Sequence, residues 1–258
     1  MKTFLKPSDA INWSKEKLLN HGYSVRTEKW QGIDSPDDMW ETMNHSFQFF
    51  IPESVDELIK EIKPNLPWAD DHFSERVSGI PLNPPPSNEW WPFNQKKNEQ
   101  FKKDEKFSHT YPERIWPKHA SEIPNSTMEG IRFQYGDFGD VLDLLEREPF
   151  TRQAFLPIWF PEDTGTVHGE RVPCTIGYHF MRRGDRLHMV YFIRSCDCIR
   201  HFRDDIYLAC RKLMWLLTQL KERDFERWKD VKPGYFAMHI VSLHCFNKEK
   251  GILKQSNI

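Results

Sequence analysis

Residues 175–193 hold two β-rich runs around Gly184-Asp185, and a hairpin there decides what must meet at its open end. Gly184 lies ten residues from Cys174 and ten from Arg194. Pairing of the runs therefore sets a thiol beside a guanidinium. A permanent cation favours the thiolate, the nucleophilic form of cysteine. Ser195, Cys196 and Asp197 follow directly, and eight residues past Asp197 stands Asp205. Asp204-Asp205 reads as the N-cap of a helix whose apolar stripe is Ile206, Ala209, Leu213, Leu216, Leu217 and Leu220. The stripe is core. Asp205, at the helix entrance, falls in register with the hairpin mouth.

The rest of the chain alternates helical and extended patterns, so one α+β domain over residues 1–258 is the simplest architecture. Residues 8–20 read as a helix capped by Ser8 or Asp9. A second helix starts near Ser54 and stops at Pro64, and a short one is expected within 64–79. The mixed charges of 94–107 read as a solvated loop or helix face. A helix is expected over 138–148, strands over 153–160 and 235–246, and a surface loop over 221–230.

The charge balance excludes several classes of partner. Lys and Arg total 36 against 38 Asp and Glu, so no net field points to nucleic acid or to a membrane surface. No apolar run approaches the ~18 residues of a transmembrane helix, and the start Met1-Lys-Thr-Phe-Leu-Lys-Pro does not read as a signal peptide. Five cysteines without such a leader suggest reduced thiols and a cytoplasmic location. Cys196, Cys198, Cys210 and Cys245 read as small buried hydrophobes. His168-Gly169-Glu170 before Pro173-Cys174 imitates a zinc deaminase signature, but Gly177 stands where a second cysteine is needed. No metal is expected.

Pro173-Cys174, Arg194-Ser195-Cys196-Asp197 and the helix at Asp205 together resemble the core of thymidylate synthases and pyrimidine nucleotide hydroxymethylases. Three further stretches agree in order. Glu148-Pro-Phe-Thr-Arg152 through Trp159 resembles that family's Asp-Pro-x-Ser-Arg-Arg…Trp segment. Gly234-Tyr-Phe followed by His244 resembles its Gly-Asp-Phe…His-x-Tyr strand, and Arg26-Thr27 its phosphate loop. The likeness is dense over 140–246 and looser over 20–136.

The resemblance implies a large mixed β-sheet packed with helices and a sheet-to-sheet homodimer. It also implies that the Cys174 thiolate attacks carbon 6 of a pyrimidine nucleoside monophosphate, making carbon 5 the nucleophile. Carbon 5 would take a one-carbon unit from 5,10-methylenetetrahydrofolate. Arg194, Ser195 and Arg26 would hold the 5′-phosphate, joined by Arg152 from the other subunit. His244 would contact the sugar and Asp197 the folate, with Trp90 or Trp91, preferably Trp91, stacking on it. Glu75 is the candidate for proton transfer through ordered water.

Departures from the family pattern point to the base. The uracil-reading position, an Asn in thymidylate synthases, holds Asp205 here. An ionised carboxylate only accepts hydrogen bonds, which suits the exocyclic amine of cytosine. Opposite a uracil carbonyl it would leave two acceptors facing each other, costing on the order of 1–3 kcal/mol. The pattern matches the phage deoxycytidylate hydroxymethylases, and dCMP is the favoured substrate. Gln153 replaces a second phosphate Arg, and Phe246 a sugar-binding Tyr. Residues 253–258 do not resemble the closing tail of thymidylate synthases, which favours a hydroxymethyl over a methyl product. A methylase acting on dUMP or dCMP and a non-catalytic nucleotide-binding dimer are the alternatives.

Overall fold

The hairpin forms at Gly184-Asp185, where Gly184 takes φ +58, a conformation that favours glycine. Its arms belong to a mixed sheet of seven strands in the computed structural model, which describes residues 1–30, 33–34, 38–93, 101–118, 136–164 and 171–254. The strands are β1 (Lys2–Phe4), β2 (Tyr23–Val25), β3 (Met39–Phe50), β4 (Phe155–Pro157), β5 (Thr175–Arg183), β6 (Arg186–Asp197) and β7 (Lys232–Phe246). Their order is β1-β3-β7-β6-β5-β4, with β2 also on β3. The pairs β6–β7 and β1–β3 are parallel and the others antiparallel. His168, Gly169 and Glu170, residues 94–100 and the tail 255–258 lie outside the described residues.

A parallel β6–β7 pair needs a crossover, and the periodic helix supplies it. The helices are α1 (Pro7–His21), α2 (Val55–Ile62), α3 (Trp68–Val77), α4 (Tyr111–Ile115), α5 (Phe138–Arg147), α6 (Phe202–Arg223) and α7 (Phe225–Trp228). The stripe of α6 is fully buried at Ile206, Ala209, Leu213, Leu216 and Leu220. It meets the inward residues Tyr178, Phe180, Leu187, Met189, Tyr191, Phe236 and Met238 in one core. Full burial of each such aliphatic or aromatic side chain contributes about 1.5–3 kcal/mol.

Residues of the opposite sheet face alternate with these and carry a row of part-exposed rings. Phe50 stacks on Tyr235 at 3.9 Å, Phe192 on His239 at 5.4 Å, and Phe155 lies 6.5 Å from Phe192. Phe50 and Phe155 are each 38% exposed.

Several boundaries differ from the sequence reading for local reasons. Pro7 opens α1 after Lys6, because its fixed φ suits the first helical position. Ser8 instead bonds Glu61 at 2.5 Å. Ser54 does cap α2, accepting from the Glu57 N–H, and left-handed Lys63 ends that helix before Pro64. The strand expected over 153–160 is cut to three residues. Pro157 has no N–H to extend the ladder, and Ile158 and Trp159 both donate to the Ile176 carbonyl. The surface loop expected over 221–230 is largely helical: α6 runs to Arg223, and Asp224 caps α7, which buries Trp228 completely. No helix among the described residues is long and apolar enough to cross a membrane.

Candidate functional site

A β-bulge decides which residue faces Cys174. The β5–β6 register runs regularly from Arg183↔Arg186 to Gly177↔Phe192. Continued unbroken, it would set Cys174 opposite Ser195. The register slips at Ile176, so Thr175 pairs with Ile193 and the Arg194 N–H donates to the Cys174 carbonyl at 2.9 Å. A bulge re-aims side chains in this way at sheet edges and sites. The Arg194 guanidinium turns back onto the same segment, bonding the carbonyls of Pro173 (2.9 Å) and Val172 (3.2 Å). Its Cζ lies 5.4 Å from the ring centroid of Trp159. The thiol and guanidinium thus flank one cavity of about 310 Å³.

At the thiol the cation and burial act in opposite directions. Burial pushes the Cys174 thiol up, and this outweighs the pull of Arg194 and Arg171 toward the thiolate. Asp205 and Asp197 push the same way as burial. Cys174 is therefore held as a thiol, with the guanidiniums of Arg194 and Arg171 acting on it.

The sheet places the next residues in a row. Asp197 on β6 pairs with His244 on β7, and His244 pairs with Glu41 on β3. Ser195 and Ser242 form the adjacent pair. All five line the cavity. The Ser242 hydroxyl donates to Glu41 and lies 3.3 Å from His244 Nδ1. Asp197 Oδ1 accepts from the N–H groups of Ile199 and Arg200, and Oδ2 pairs with the Arg200 guanidinium at 2.8 Å. Burial raises its pKa, but His201, His244 and Arg200 together bring it below the ordinary value.

Asp205 is not the N-cap of α6. His201 occupies that position, and the Asp205 N–H already donates to the His201 carbonyl at 2.7 Å. Its carboxyl is thereby left for the cavity, which it lines beside Asp204. The Cys196 thiol donates to Asp205 Oδ2 at 3.6 Å. Burial raises Asp205 from 3.8 to about 7, against the opposing charge of Arg76. Asp204 is committed elsewhere, accepting from the Asn65 N–H and side-chain amide at 2.9 and 2.7 Å. Two turns along α6, Lys212 is completely buried, with Nζ 3.5 Å from the Tyr178 ring centroid and no hydrogen-bond partner. Burial drives its pKa far down.

Glu75, the expected proton-transfer group, does not line the cavity. Helix α3 presents Trp68, His72 and Arg76 there, spaced i, i+4, i+8, and Glu75 falls off that face. Its carboxylate is held by the Ser87 N–H and hydroxyl, both at 2.5 Å, and sits 3.3 Å from His72 Nδ1. His72 Nε2 accepts from Arg76 Nη2 at 2.9 Å. Burial lowers His72 to about 4, so its imidazole is neutral at pH 7.

Trp91 lines the cavity and stacks on His201 at 5.3 Å, whereas Trp90 is 42% exposed and bonds Asp71 outside it. Arg26 and Arg152 are exposed and do not line the cavity, although Val25 and Thr27 beside Arg26 do. The structure therefore gathers Cys174, Arg194, Ser195, Asp197, Asp205, His244 and Trp91, and leaves out Glu75, Arg26 and Arg152. It adds His72, Arg76, His109, Tyr111 and Arg171. The His72–Arg76 spacing and the position of Arg171 three residues before Cys174 were visible signals. Those groups give the cavity a thiol, three guanidiniums for anions or ring acceptors, and, besides the committed Glu41, Asp197 and Asp204, the Asp205 carboxyl for a donor. No protein-family model matches the chain, and no curated protein matches it.

Proposed function

We propose that this protein is a folate-dependent one-carbon transferase acting at carbon 5 of a pyrimidine nucleoside monophosphate, with dCMP favoured and hydroxymethyl-dCMP as product. The observation that carries this reading is convergence. Trp91, Cys174, Arg194, Ser195, Asp197, Asp205 and His244, named from separate sequence stretches, line one cavity. Their chemistry is complementary to the parts of such a substrate. Arg194 and Ser195 suit a phosphate, Asp205 a base edge and His244 a sugar hydroxyl.

In this reading Cys174 Sγ forms a bond to carbon 6, and the ring electrons move to carbon 5. Substrate phosphate arriving between Arg194 and the cavity wall excludes water there. Cys174 gives up its proton to water as Sγ bonds carbon 6. Carbon 5 takes the one-carbon unit and loses its own proton to water, and tetrahydrofolate is the group released. Water adds to the one-carbon unit as its hydroxyl, and the carbon 6–Sγ bond then breaks to return the thiolate. The one-carbon unit comes from 5,10-methylenetetrahydrofolate. A fit for that group is supported by Trp91, stacked flat on His201 at the cavity wall, and by Asp197 as an acceptor nearby.

A homodimer belongs to the same proposal. Arg152 is exposed and does not line the cavity of its own chain, as a phosphate ligand given to a partner would be. The part-exposed ring row on the open sheet face suits burial against a second copy. The test is incubation with dCMP or dUMP and methylenetetrahydrofolate. Hydroxymethyl-dCMP supports the reading, dihydrofolate release with dUMP would make it a thymidylate synthase, and no product with either would overturn it.

A further inference from the structure

Arg76 is a cation that the reading above leaves without a task. Its side chain is 4% exposed, yet it lines the cavity. One N–H is engaged, Nη2 donating to His72 Nε2, and behind His72 stand Glu75 and Ser87 as a fixed hydrogen-bonded chain. The guanidinium plane lies over the Tyr111 ring, with Cζ 4.0 Å from its centroid. The chain and the ring hold the group in place. Among the described residues its Nε–H is buried without any partner, and the bond to His72 is the one its guanidinium makes. A buried guanidinium N–H left unmatched is costly unless a ligand completes it. Asp205 supplies a complementary acceptor for the same ligand, since both line the same cavity.

Donor counting shows what the pair can read. An ionised carboxylate alone would accept from the exocyclic amine of cytosine but face the lone pair on ring nitrogen 3. A guanidinium N–H beside it resolves that conflict by donating to nitrogen 3, with no proton added to the base. Uracil presents the same two groups in the opposite order, an acceptor at position 4 and a donor at position 3. A fixed Arg76 and a fixed Asp205 can match one order only.

We infer that Arg76 is a base-reading residue, donating to ring nitrogen 3 of a cytosine nucleotide while Asp205 accepts from its amine. This rests on the proposed function, and it makes specificity a property of the pair rather than of Asp205 alone. A charged hydrogen bond contributes about 1.5–3 kcal/mol, which is roughly a tenfold to hundredfold change in affinity.

The test is calorimetric binding of dCMP and dUMP to wild type, Arg76→Gln and Arg76→Lys, each checked for a cooperative urea transition. Arg76→Gln is expected to weaken dCMP binding about tenfold or more while leaving dUMP binding weak and little changed. Arg76→Lys should recover part of the loss, because the ammonium keeps the charge without the planar fork. Folded Arg76→Gln binding dCMP as tightly as wild type would overturn the inference alone. Were the Gln variant unfolded, wild-type affinity in Arg76→Lys would overturn it equally. Wild type binding neither nucleotide would instead remove the proposed function, and this inference with it.

Discussion

Replacing Asp205 by Asn should stabilise the protein, and by an amount that depends on pH. Asp205 sits at about 7 instead of 3.8, with burial as the main cause. The folded chain therefore keeps a proton that the unfolded chain releases between those values. The stability tied to that proton is fully present below about pH 4 and lost as pH rises to about 7. The loss runs at about 1.4 kcal/mol per pH unit and reaches about 4 kcal/mol as an upper bound, because relaxation and water entry reduce it. Asparagine is close in shape and carries no charge, so the variant escapes this loss. Urea denaturation of both proteins at pH 5, 6, 7 and 8.5 reads it directly. The advantage of Asp205→Asn should grow from pH 5 to 7 and level off above. For a chain of this size each kcal/mol moves the thermal midpoint by about 2–4 °C. A stability difference that stays flat with pH would refute the assignment of Asp205 as a buried, burial-shifted carboxyl.

Other outcomes follow from the same geometry. Lys212→Met should raise stability by about 1–3 kcal/mol at pH 7, since it replaces a buried amine that lacks any hydrogen bond, and urea melts would show it. Asp205→Asn should gain activity on dUMP, and unchanged cytosine preference in a product assay would remove Asp205 from base reading. Glu75→Gln should lower turnover less than His72→Ala does, because Glu75 reaches the cavity only through His72 and Ser87; the reverse order in steady-state rates would restore a direct role for Glu75.

The parts of this site that follow from local pattern were legible in the sequence. The hairpin turn, the α6 stripe and the pairing of Arg194 with Cys174 rest on short-range spacing, which strand and helix periods fix. The slip at Ile176 is invisible there, because nothing in Thr175-Ile176-Gly177 marks an unpaired residue. Equal counting from Gly184 reached Arg194 only because the slip offsets the two-residue turn. Glu75 stands off the cavity for a different reason. Its residue type suits proton transfer, but the face of α3 decides access, and the Trp68, His72 and Arg76 stripe holds that face. Asp205 looked like a cap because caps and first-turn acids share a residue preference, and only the His201–Asp205 backbone bond separates them. The fate of the Cys174 thiol depends on burial, which spacing does not carry.

The most direct test of Cys174 as the nucleophile is release of tritium from carbon 5 of labelled dCMP. Wild type should release it when the folate donor is present, and Cys174→Ala should bind dCMP but release none. Release that persists in Cys174→Ala, or none from folded wild type with any pyrimidine nucleotide, would contradict covalent catalysis at this hairpin.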